Sequence, residues 1–146
     1  MKFPKAGRGV AMLAIVAGTG LGFAGTASAA PYDGVAPQGS ACYASRALMR
    51  QTIIKYGSTR QGDIQLWYSL RCHTVWARVV TVDAPRVTGR LGSRGFVVRN
   101  TDHAGQMCNV PVGQYSCLTK MLYDGKVTSY AWAHTNGTNY GRTSNY

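Results

Sequence analysis

The sequence predicts a small all-β domain, a disulfide-stabilised sandwich or partly closed barrel of about six short antiparallel strands. Three observations carry that expectation. Residues 64–70 alternate apolar with polar, residues 72–82 are apolar on both faces, and four cysteines follow an export-type leader.

The leader comes first along the chain. Lys2, Lys5 and Arg8 precede the apolar run Val10 to Gly25, and the small residues Ala27, Ser28 and Ala29 follow, which is the three-part layout of a signal peptide over residues 1–29. Cleavage after Ala29 avoids placing Pro31 next to the scissile bond. The glycine-broken apolar run is shorter than the roughly 20 residues that a membrane span takes. No second such run exists, so a secreted, extracellular product without a membrane span after cleavage is expected. Residues 30–41 hold two prolines, two glycines and few large apolar groups, and read as a flexible N-terminal arm that could also serve as a docking strand. Residues 42–146 form a single β domain in this reading.

Ala47 to Tyr56 fits two periods. Leu48, Met49, Ile53 and Tyr56 make a helical stripe, while Ile53-Ile54 suits a strand. Ile64, Leu66, Tyr68 and Leu70 alternate with Gln65, Trp67 and Ser69, as on a strand with one buried face. From Cys72 to Val82, Val75, Ala77 and Val79 lie on one face and Trp76 and Val80 on the other. A central strand covered on both sides has that pattern, and Pro85 ends it. Asp83 to Arg94 reads as an exposed basic loop leading into a short strand, Gly95 to Asn100. Asp124-Gly125 suits a type I′ turn joining Leu118–Tyr123 to Lys126–Ala133 as a hairpin, which would set Cys117 opposite Trp132. Beyond His134 the tail lacks periodicity, and either closes the sheet or stays mobile. Asn136-Gly-Thr138 matches a glycosylation acceptor, a chance match in a bacterial-type export context.

Cys42, Cys72, Cys108 and Cys117 contain no C-x-x-C, so disulfides are expected rather than zinc or redox chemistry. Pro111 and Gly113 make a turn between Cys108 and Cys117. That favours Cys108 with Cys117 and leaves Cys42 with Cys72.

The full chain carries a formal charge of +11; without Lys2, Lys5 and Arg8, 13 cations face five aspartates, a net +8, and glutamate is absent. Ten of those 13 cations are arginine, whose planar fork suits phosphates and carboxylates. Such a balance favours anionic partners.

Tyr32-Asp33-Gly34, Leu66, Tyr68-Ser69, Cys72, Thr74, Trp76-Ala77-Arg78 and Cys117 with Tyr123-Asp124-Gly125 resemble the YjfA-like family of small secreted domains of Gram-positive bacteria, a family of unknown function. The resemblance spans most of the chain after the leader. It implies a β fold with disulfides and a strand near Ile53, and it supplies no catalytic residues. Trp67 departs from it, standing where a polar or basic residue is expected.

No catalytic constellation is recognisable. Asp102 and His103 are adjacent and would point to opposite faces of an extended chain, which disfavours a triad. With no glutamate, a small basic nuclease would rest on a His/His or Asp/His pair among His73, His103 and His134, and it stands as a second alternative. Glycosidase chemistry lacks a carboxylate pair. No metal ligands or cofactor are expected. The expected role is therefore binding, with another secreted protein as the favoured partner, through the arm or an edge strand. The alternative partner is an anionic wall polymer or nucleic acid, bound by Arg86, Arg90, Arg94 and Arg99 with Trp67 as an aromatic platform.

Overall fold

The computed structural model describes residues 30–146; the expected leader and its cleavage site lie outside the described residues. A four-residue helix, α1 (Ala41–Ala44), is capped by Ser40, whose Oγ accepts the Tyr43 N–H. Nine strands follow: β1 (Arg46–Tyr56), β2 (Thr59–Ser69), β3 (Thr74–Thr81), β4 (Arg94–Arg99), β5 (Gly105–Asn109), β6 (Ser116–Leu118), β7 (Leu122–Tyr123), β8 (Ser129–Thr135) and β9 (Asn139–Arg142). They form two antiparallel sheets. The first runs β1-β2-β3-β6, with β7 also paired to β3; the second runs β5-β4-β8-β9. The architecture is an open sandwich rather than a barrel.

Alternation assembles the core. Ile64 and Leu66 on β2, and Val75, Ala77 and Val79 on β3, face Val97 on β4 and Ala131 and Ala133 on β8, all fully buried. Two glycines let the sheets approach closely. A Cβ on Gly95 would lie 2.2 Å from Val79 Cγ2, and one on Gly141 would lie 2.8 Å from Ile54 Cγ1. β3 is covered on both faces, as its composition predicts, because α1 lies over its outer side. There Trp76 is buried with Cys42, Cys72 and Met121.

Disulfides join Cys42 to Cys72 and Cys108 to Cys117. The second links β5 to β6 and so ties one sheet to the other.

Four expectations change. Residues 46–56 are a strand throughout, which removes the helical option. Leu70 falls beyond β2 and is 66% exposed, since the chain has already turned toward Cys72. Within the arm of residues 30–41, residues 33–35 are held to the body of the domain. Gly34 N–H donates to the Met121 carbonyl at 3.0 Å, Met121 N–H donates to that of Val35 at 2.8 Å, and the Asp33 carboxylate accepts the Tyr123 N–H. Last, the expected hairpin about Asp124-Gly125 does not form. β6 and β7 pair with β3 in the first sheet, whereas β8 pairs with β4 and β9 in the second, so residues 124–128 cross between sheets. The unpaired edge of β3 competes for residues 116–123 and wins. In this part of the chain the hairpin turn is instead Asn136-Gly137, between β8 and β9, where φ is 49° and 74°, the left-handed values a tight primed turn needs.

Asp124 is consequently buried. Its N–H donates to the His73 carbonyl at 2.7 Å, and its carboxylate accepts the Ser129 hydroxyl at 2.9 Å. Burial pushes its pKa from 3.8 up to about 6, only partly opposed by the Ser129 bond. The native state therefore holds a proton that the unfolded chain releases between those values. Stability from this group is full below pH 3.8 and is lost as pH rises through 6, by no more than about 3 kcal/mol. Asp124→Asn should remove that loss: its urea midpoint should exceed the wild-type value increasingly through pH 6, with the gap level above it. A gap independent of pH between 4 and 8 would contradict this.

Candidate functional site

Strand alternation builds one surface on the outer face of the second sheet. β4 turns Gly95 and Val97 inward and Arg94 and Phe96 outward; β8 turns Ala131 and Ala133 inward and Tyr130, Trp132 and His134 outward. On β9, Gly141 packs on the core while Tyr140 and Arg142 point away. Register then sets the rows. Phe96 and Arg142 flank Trp132, and Arg94 and Tyr140 flank His134.

The rings in these rows touch. Phe96 stacks on Trp132 with centroids 3.9 Å apart and planes within 3°, so Phe96 covers one face of the indole. Tyr140, 66% exposed, lies 6.4 Å from Trp132 and 5.9 Å from His134. The Arg142 guanidinium sits 3.9 Å over the Tyr130 ring, a cation–π contact.

Two adjoining cavities share Trp132 and Tyr140. One, of about 450 Å³, is walled by Tyr130, Trp132, Tyr140 and Arg142. The other, of about 290 Å³, adds Arg90, Arg94, Phe96 and His134. Arg90 comes from a 3-10 turn, Gly89–Leu91, which is held against the β8–β9 turn by the Gly137 N–H bond to the Gly92 carbonyl at 3.0 Å. His134 is buried, and its pKa is lowered first by that burial and then by the Arg94 charge, which keeps the ring neutral at neutral pH. The surface thus offers aromatic faces beside fixed positive charge, with no carboxylate in either cavity wall.

The structure separates the residues expected to act together. Arg90 and Arg94 share the second cavity. Arg86 lines a neighbouring cleft of about 580 Å³ with Asp83, Tyr115 and Asn136. Arg99 is not available to a polyanion. Its guanidinium donates to Asp102 at 2.9 and 2.6 Å, to Asp33 at 3.2 Å and to the Tyr123 carbonyl at 2.8 Å. These bonds, Asp102's foremost, hold its proton more firmly against the opposing effect of burial. Trp67 is neither inside the sandwich nor a bare platform. It is half-buried on the outer face of the first sheet, opposite Trp76 across the strands, with its Nε1–H donating to Gln65 at 3.1 Å.

The acids and bases are dispersed. Asp102 bonds Arg99 and the Ala104 N–H, Asp63 pairs with Arg60, and His73 Nδ1 lies 2.8 Å from the Tyr68 hydroxyl. Among the described residues, no group of three or more His, Cys, Asp or Glu is placed to hold a metal ion. Sequence reasoning missed Phe96, Trp132, Tyr140 and Arg142. The spacing of Tyr130, Trp132 and His134 at every second position was a usable signal, but the hairpin expectation drew Trp132 toward Cys117.

A family model described as "Protein of unknown function (DUF2690)" matches residues 30–132. The chain is also 29% identical over 117 residues to the uncharacterized protein YjfA of Bacillus subtilis (strain 168), covering 74% of this chain and 73% of that protein. No solved structure matches.

Proposed function

The chain belongs to the DUF2690 family, and because that membership assigns no activity, we propose on physical grounds that it is an exported, non-catalytic protein that binds an anionic wall polymer through the outer face of its second sheet. The observation that carries this reading is the junction of the Trp132–Tyr140 wall with Arg90, Arg94 and Arg142. Ring stacking orients a repeating unit, and the guanidiniums attract its charge. The two disulfides are consistent with export.

A protein partner docked through the arm or an edge strand has less support. Gly34 and Val35 already make backbone hydrogen bonds with Met121, and the Asp33 carboxylate accepts the Tyr123 N–H. The edge strand β1 carries Arg46, Arg50 and Lys55, charges of the kind that discourage strand addition.

The test is binding to isolated Gram-positive walls and to purified polyglycerol phosphate, at 0.05 and 0.5 M salt. Binding should weaken at least about tenfold at the higher salt, where charges beyond a few ångströms are screened. Trp132→Ala should cost about tenfold at low salt, as expected for one stacked ring. A salt-resistant complex with one defined protein, unaffected by Trp132→Ala, would overturn the reading.

A further inference from the structure

One end of the sandwich gathers apolar side chains that the core leaves in water. Two loops cross between the sheets there, residues 82–93 from β3 to β4 and residues 110–115 from β5 to β6. Hydrogen bonds join them. The Gly113 N–H donates to the Pro85 carbonyl at 3.4 Å, the Thr81 N–H to that of Tyr115 at 2.8 Å, and the Val110 N–H to that of Ser93 at 2.9 Å. On these loops Val82, Val87, Leu91, Val112 and Tyr115 are each about half exposed or more, Leu91 at 75%. Val87 and Tyr115 wall one cleft with Asn136, whose neighbour Gly137 lies against Leu91. Single exposed apolar residues are ordinary, but five on two joined loops mark an interaction surface. Its rim is mostly of one sign. Arg86 lines the cleft, Arg90 precedes Leu91, and Lys55 stands at the β1–β2 turn of the same end, where Gly62 pairs with Thr81. All three cations are exposed and outside any ion pair among the described residues, and they face Asp83 as the one carboxylate there without such a pair.

We propose that this end of the domain docks on an anionic phospholipid bilayer, with the loop tips at the acyl boundary and Arg86, Arg90 and Lys55 among the headgroups. Charge selects this occupant over a protein. A headgroup layer offers negative charge over its whole area directly above hydrocarbon, which is the complement of apolar tips inside a cationic rim. The shape agrees, because the apolar groups stand on protruding loops rather than on a flat sheet face. Tyr115 adds a ring with one apolar and one polar end, the kind that settles at the interface level. Contact through a few loop side chains is peripheral and reversible. Only Arg90 is shared with the Trp132 face, so the inference stands whether or not that face binds polymer.

The test is flotation of the exported form, residues 30–146, with vesicles of phosphatidylcholine alone or mixed equally with phosphatidylglycerol. The protein should bind the mixed vesicles, and at least about tenfold more weakly those without phosphatidylglycerol. Leu91→Ser combined with Val112→Ser changes no charge and touches only exposed side chains, and it should weaken binding at least about tenfold. Arg86→Gln should weaken it about fivefold. Two controls should stay within about twofold of the wild type: Leu70→Ser at the opposite end, where Ser69 pairs with Thr74, and Trp132→Ala on the second sheet. Absence of binding to the mixed vesicles would overturn the proposal. So would binding that survives the double substitution, or that either control reduces as much. Self-association without vesicles that Leu91→Ser abolishes, with no vesicle binding, would assign this end to a second copy of the chain and overturn it as well.

Discussion

Replacing Cys42 and Cys72 together by alanine is expected to remove about 3.5 kcal/mol of stability, the loop-closure entropy of a bridge spanning 30 residues. Alanine is the informative choice because both sulfurs are buried, and serine would add a polar group to the site. The loss is compounded by packing, since the bridge walls the pocket that holds Trp76 and Met121. The bridge from Cys108 to Cys117 spans nine residues, and its removal should cost less, about 2.5 kcal/mol. Against a total of roughly 5–15 kcal/mol for a domain of this kind, loss of both should leave little folded protein. Urea unfolding of the two paired variants tests the order; a smaller loss for the Cys42–Cys72 pair would contradict it.

Arg99→Met is expected to be comparably severe. The guanidinium side chain is only 11% exposed and serves two carboxylates and a carbonyl at once. Methionine keeps much of the volume and leaves Asp33 partly buried without its cation, a loss of about 3–5 kcal/mol by the behaviour of broken buried pairs. Asp33 also accepts the Tyr123 N–H, so the effect should spread to residues 30–41. Hydrogen exchange at Gly34 and Tyr123 should accelerate more than exchange in β2. Arg99→Lys should rescue only part of the loss, since an ammonium cannot make the forked contact with Asp102. Uniform acceleration across the whole domain would show that Arg99 acts on global stability alone.

Much of the first sheet was legible in the sequence. β2 shows one buried face in the spacing of Ile64, Leu66 and Tyr68, and β3 shows two through Val75, Trp76 and Ala77. These signals are local and need no knowledge of neighbours. The candidate site was not legible in the same way. Arg99 looked like one more free cation although Asp102, its foremost partner, lies only three residues on, because nothing local shows that the chain turns back to pair them; Asp33, its second carboxylate, is 66 residues away. Phe96, Trp132 and Tyr140 lie on three strands, and only the register brings their rings together. Asp124-Gly125 carried a strong hairpin signal that β3 overrode by pairing with the residues before it. A turn motif reports what a backbone can do locally; competition for an unpaired edge decides what it does.

That competition also bears on how the chain folds. β3 gains its second edge only from β6 and β7, and β4 is flanked by β8 only after the chain has crossed between sheets. Few of these contacts are local, so the domain belongs with slow, high-contact-order folders that take milliseconds to seconds. During that interval β3, which is apolar on both faces, has one open side, a ready template for intermolecular pairing. The charged outer strand β1 guards the finished protein at the far side of the sheet, and it offers no protection at this one.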